Sequence, residues 1–122
     1  MGPVVLLYNI PAEKEAAIRG LCQKLSVQIV EVPKNRHGCT IGEALRDEGI
    51  DRPAPRPFAD EMLVLQLPGI LMDFFLQGLQ REGAEVALKA AVTPTNVAWT
   101  ADALVRELHR ERQEFLRQAA KK

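Results

Sequence analysis

The sequence predicts an α/β fold, a single three-layer sandwich in which four strands alternate with four helices in the order βαβαβαβα around a four-stranded, mainly parallel sheet. Three observations predict it. Apolar runs of strand length alternate along the chain with stretches of helical periodicity. The first and third runs, "VVLLY" and "EMLVLQL", are nearly continuous, the pattern of strands covered on both faces. The layout of strand, Pro-bearing turn, helix and strand also occurs twice, in "LLYNIPAEKEAAIRGLCQKLSVQIVEVP" and "LVLQLPGILMDFFLQGLQREGAEVALKAAVTP", implying two βαβ units. The alternative architecture is a ferredoxin-like α+β sandwich with an extra C-terminal helix, in which residues 34–60 decorate a return between antiparallel strands. Helices on both sheet faces would establish the first, and one open face the second.

Each element has a local reason. Val4 to Tyr8 is bounded by Asn9 and Pro11, which favours a short buried strand. Pro11 suits a first helical turn, Glu13 and Glu15 suit its dipole, and Ile18, Leu21, Cys22 and Leu25 recur on one helical face, so Cys22 points to the core. Residues 27–32 are β-branched and partly alternating, a second strand ended by Pro33. Thr40 and Glu43 form a T-x-x-E capping box, and Gly49 supplies a stop, predicting a helix over 41–48. Prolines at alternate positions make 51–60 an extended surface connection within one domain, 1–122. A third strand at 61–67, a Pro68–Gly69 turn and a helix over 71–82 ended by Gly83 follow. Leu71, Met72, Phe74, Phe75, Leu76 and Leu79 spread beyond one stripe of that helix, so it either lies under other elements or meets a partner. A fourth strand over 86–92 and a closing helix over 101–118, with Ala101, Leu104, Val105, Leu108 and Phe115 inward, complete the pattern.

Composition bounds the function. The chain of 122 residues suffices for one core, and 47% apolar with 26% charged residues is a globular balance. Sixteen basic and sixteen acidic side chains cancel, so no net field draws the molecule to nucleic acid or an acidic membrane. No apolar run approaches the roughly 20 residues of a membrane-spanning helix. Two cysteines and no signal-like N-terminus give the expectation of a reduced, cytoplasmic protein.

The candidate site centres on "KAAVTPTNVAWT". Much of it reads as a join between strand and helix: Thr93 to Asn96 suits a turn whose Thr and Asn side chains bond nearby backbone, and Trp99 and Leu104 flank a cap at Thr100 as a hydrophobic staple. In an α/β sheet, however, ligands bind beyond the carboxyl ends of the strands. On one common rim, Asn9, Lys89, Thr93, Thr95, Asn96 and Trp99 would converge on a small polar ligand or a protein segment. Lys89 also fits a lysine snorkelling from an edge strand past small alanines. The "LLYN" opening, the "EMLVL" strand and "TPTNVAWT" resemble a family of small bacterial domains of unknown function over nearly the whole chain. The resemblance implies that Thr93, Thr95, Asn96, Trp99 and Thr100 match the family's most recognisable stretch, and it implies no activity.

Other chemistries lack their parts. "YNIPAEKE" has no glycine and sets Glu13 and Glu15 where a phosphate would sit, so neither a P-loop nor a dinucleotide fingerprint is present. A receiver-like phosphorelay lacks its acceptor, because the third strand ends without an aspartate. His37 and Cys39 are two metal ligands without a completing pair, and no cofactor is implied. The closing helix has a modest basic excess, Arg117, Lys121 and Lys122 included, but no interleaved aromatics for nucleic acid. Three readings remain: a non-enzymatic binding or regulatory domain, a small enzyme using Cys39 or Lys89, and an assembly domain that meets a partner or forms a homodimer through Phe74, Phe75 and the third helix.

Overall fold

A computed structural model describes residues 2–120. Strand β1 (Val4–Tyr8) is buried along its whole length and ends at Asn9, which turns the chain at a left-handed φ of 57°, a conformation Asn tolerates better than most residues. Helix α1 (Ala12–Leu25) starts on Pro11, whose carbonyl accepts from Glu15 N, and stops at Ser26 in the left-handed region rather than at a glycine. Strand β2 (Gln28–Glu31) pairs parallel with β1. After a 3-10 turn at Lys34–Arg36, the Thr40–Glu43 capping box opens α2 (Ile41–Leu45). This helix is shorter than the 41–48 expected, because Asp47 (φ 51°) reverses the chain before Gly49 (φ 71°) turns it again.

The proline-rich segment is tied down at several points. Asn9 Nδ2 donates to the carbonyls of Phe58 (3.1 Å) and Asp60 (3.0 Å). Phe58 stacks on buried His37 with centroids 4.9 Å apart, and Tyr8 lies against both rings. Arg52 exchanges backbone bonds with the 3-10 turn region, accepting from Gly38 N (2.6 Å) and donating to Asn35 O (2.7 Å). Gly38 has to be glycine for that approach, since a Cβ there would stand 2.5 Å from Arg52 O and closer still to Pro53 O.

Strand β3 (Met62–Gln66), helix α3 (Gly69–Arg81), strand β4 (Leu88–Ala91), a 3-10 turn at Asn96–Ala98 and helix α4 (Ala101–Ala120) repeat the order of the first half. The sheet order is β2-β1-β3-β4. β1 with β2 and β3 with β4 are parallel and the central β1–β3 pair is antiparallel, so the sheet is mixed, with two of its three pairings parallel. Helices cover both faces, which excludes the ferredoxin-like alternative. α1 and α3 enclose Val5, Leu7, Leu63 and Leu65 with Ile18, Cys22, Phe75 and Leu79. α2 and α4 enclose Leu6, Tyr8, Met62 and Val64 with Ile41, Leu45, Leu104 and Val105. The apolar α3 thus packs within the fold through Phe75 and Leu79, while Ile70 and Phe74 stay exposed. Lys121 and Lys122 of the expected basic end lie outside the described residues.

The two halves are related by a pseudo-twofold axis through the sheet centre. Equivalent residues make equivalent bonds: Glu15 N to Pro11 O matches Met72 N to Pro68 O, Val32 N to Leu7 O matches Val92 N to Leu65 O, and Cys39 N to Arg36 O matches Trp99 N to Asn96 O. On the axis, equivalents meet each other, as Leu6 pairs with Val64 and Thr40 bridges Thr100. A rotation of this kind makes the central strands antiparallel.

Candidate functional site

That rotation divides the six candidate residues. β4 runs parallel to β3 and β3 antiparallel to β1, so the carboxyl end of β4 lies at the opposite end of the sheet from Asn9. The common rim expected for Asn9 and Asn96 is therefore corrected. Asn9 borders a separate hollow with Glu31 and Lys34, and its amide nitrogen is committed to the 51–60 segment. Thr95 is exposed at the start of the second 3-10 turn, makes no side-chain capping bond and stands outside the remaining group.

The structure brings the other four together. Lys89, Thr93, Asn96 and Trp99 line one cleft of about 390 Å³ between β4 and α4, with Ala90, Leu104, Leu108, Glu107 and Glu111. The cleft follows from the edge position of β4. Val92 N donates to Leu65 O, so the even-numbered residues of β4 turn their amides to β3, and Lys89 and Ala91 turn N–H and C=O outward. Asn96 occupies the end of that edge as a pseudo-strand. Its Nδ2 donates to Ala91 O and its Oδ1 accepts from Thr93 N, both at 2.9 Å, while Asn96 N donates to Thr93 Oγ1. This is the turn chemistry read from the sequence. The Asn96 side chain is 7% exposed and already bonded, so it shapes the cleft more than it offers groups to an occupant.

Trp99 is half-buried beside the α2–α4 core, with its carbonyl accepting from Ile41 N at 2.9 Å. The Lys89 ammonium donates to Val86 O (2.7 Å) and Glu85 (3.3 Å), a snorkelling lysine held by its own strand entry. On α4, Glu107 pairs with Arg110, and this hydrogen-bonded guanidinium holds its carboxyl below the usual range. A second hollow of about 400 Å³ continues along the same edge past Ala87 and Leu88, between His109 and Arg112 of α4 and the Asp60–Glu61 end of the proline-rich segment. The α4 contribution was not singled out from the sequence. Leu104, Glu107, Leu108 and Glu111 share one helical face, the signal that carries it.

The reactive-group candidates are differently disposed. Cys39 is buried and donates to Ile50 O at 3.2 Å; burial and then the Glu43 charge push its thiol up, the reverse of an activated nucleophile. Burial raises Cys22 to about 12. His37 is 3% exposed, bonds Val32 O through Nε2, and is lowered chiefly by burial. Among the described residues no group of three His, Cys, Asp or Glu side chains is placed to hold a metal, and no helix is long and apolar enough to cross a membrane.

The part of the chain that builds this cleft is also the part with relatives. Residues 62–115, from β3 into α4, match the family model of a domain of unknown function (DUF3783). The match takes in "TPTNVAWT" and most of the "EMLVL" strand, while "LLYN" lies outside it, so the family likeness rests on the second half. No curated protein and no solved structure matches the chain.

Proposed function

We propose that this protein is a non-enzymatic binding domain that holds an extended protein segment in the cleft between β4 and α4. The observation that carries the reading is the outward edge of β4, where the Lys89 backbone and the Ala91 amide are presented beside an open cleft with an apolar floor of Ala90, Leu104 and Leu108. A strand edge of this kind supplies affinity through main-chain bonds and specificity through the side chains around it. The two hollows succeed each other along one edge, a shape suited to an extended chain rather than a compact metabolite. On the helix side of the cleft Glu107 is paired with Arg110, and Glu111 adds a carboxylate one turn on.

The test is amide shift mapping of the labelled protein against pooled seven-residue peptides and, separately, a metabolite pool. Peptide pools are expected to move Lys89, Ala91, Trp99 and Leu108 together. Ala91→Pro, which removes an outward donor and none of the β3 ladder, should weaken that response severalfold. Shifts confined to the metabolite pool, or none at these residues, would contradict the proposal.

A further inference from the structure

The pseudo-twofold axis gives the open cleft a counterpart in the first half, and that counterpart is far smaller. Val30, Glu31, Arg36, Cys39, Ala44 and Asp47 line a hollow between β2 and α2; in the same order, the equivalent Ala90, Ala91, Asn96, Trp99, Leu104 and Glu107 line the cleft between β4 and α4. The first measures about 20 Å³ and the second about 390 Å³. The difference lies in what the chain does next. After Asp47 it reverses, and Glu48, Gly49 and Ile50 add a wall to the hollow. After Glu107 helix α4 continues to Ala120, and among the described residues no later segment lines the cleft.

We infer that the open cleft takes, from a partner protein, a segment of the kind that residues 48–52 supply to the smaller one: an aliphatic residue with a basic residue close after it. The inference rests on the peptide-binding reading above. The internal occupant shows how such a segment is held. Half-buried Ile50 seats beside Ala44, its carbonyl accepts from Cys39 Sγ (3.2 Å), and the Arg52 guanidinium pairs with Glu43 on the neighbouring helix (2.8 Å). The open cleft has counterparts to some of these parts. Trp99 stands in the place of Cys39 and brings an indole N–H donor, and Ala90 and Leu104 provide the apolar floor. The equivalent of Glu43 is Ala103, and Glu107 is paired with Arg110, so the carboxylate facing a cation here is Glu111. Charge complementarity with Glu111 therefore favours a basic side chain at that one place in the occupant.

The experiment is a fluorescence and amide-shift titration, with Trp99 as the single tryptophan reporter. The probes are an acetylated peptide of residues 48–54 (EGIDRPA), the same peptide with Asp at the isoleucine or Glu at the arginine, and a random seven-residue library selected on the folded protein. The parent peptide is expected to give a saturable Trp99 response with shifts at Ala90, Leu104 and Leu108. Each altered peptide should bind at least tenfold more weakly, and Glu107→Arg with Glu111→Arg should abolish the preference for the basic residue while circular dichroism stays unchanged. Equal binding of the three peptides, or library winners at this cleft lacking the aliphatic and basic pair, would overturn the inference and leave the peptide-binding reading standing. Absence of any peptide response at the cleft would overturn both.

Discussion

The first and second halves of this molecule share an order of elements, backbone bonds and a pair of clefts, yet one cleft is narrowed by its own chain and the other is wide. The difference arises from a few residues. Asp47 and Gly49 take left-handed backbone in the first half, where the helix ends after five residues; in the second, α4 continues for twenty. A shared scaffold thus carries a connecting segment against one cleft and leaves the other wide, while β2 and β4 both stand at edges of the sheet. Openness makes the second the place to look for a partner.

The largest expected effect comes from disturbing the segment beside the narrow cleft. Gly38→Ala places a methyl group against the Arg52 and Pro53 carbonyls, and fixed backbone cannot yield as a flexible side chain would. A loss of about 3 kcal/mol is expected in urea unfolding, the upper range for overpacking. In the second half the corresponding structural bonds are those of Asn96. Asn96→Ala should cost about 1–2 kcal/mol, because Thr93 N and Ala91 O lose their partner but both residues are exposed and water replaces part of it. Thr40→Ala, which removes one arm of the α2 capping box, should cost about 1 kcal/mol.

Acid sharpens the same contrast. His37 is lowered by burial, and Glu43 is lowered first by its bond from Thr40 N. For both, the folded state binds the proton less readily than the unfolded state, so the stability they contribute is present above their ordinary values and is lost as pH falls through the folded ones. The His37 contribution starts to fall as pH drops below 6.5. Amide exchange should therefore quicken around His37 and Phe58 before it quickens around Asn96. The smallest effect concerns Cys39: native alkylation should be slow at neutral pH and rise to ordinary thiol rates only on unfolding, since burial disfavours the thiolate.

Much of this was legible in the residues. The eight main elements, the turn chemistry of Thr93 and Asn96 and the duplicated layout all follow from local pattern, because capping, turn and periodicity signals act over a few residues. The sense of the central pairing did not follow. Two βαβ units can be joined by translation or by rotation with the same local sequence, and only the rotation separates Asn9 from Asn96. The cleft was half legible for a related reason: Lys89, Thr93, Asn96 and Trp99 are neighbours in sequence, whereas Leu104, Leu108 and Glu111 join them only once α4 folds back along β4.

Hydrogen exchange of single amides in the free protein tests the contrast between the narrow and wide clefts most directly. Gly38 and Arg52, bonded to each other's segment at 2.6 and 2.7 Å, should exchange only through opening of the fold, while along β4 the outward amides of Lys89 and Ala91 exchange fast and the inward amide of Ala90 slowly. Uniform protection along β4, or fast exchange at Gly38 and Arg52, would contradict the account.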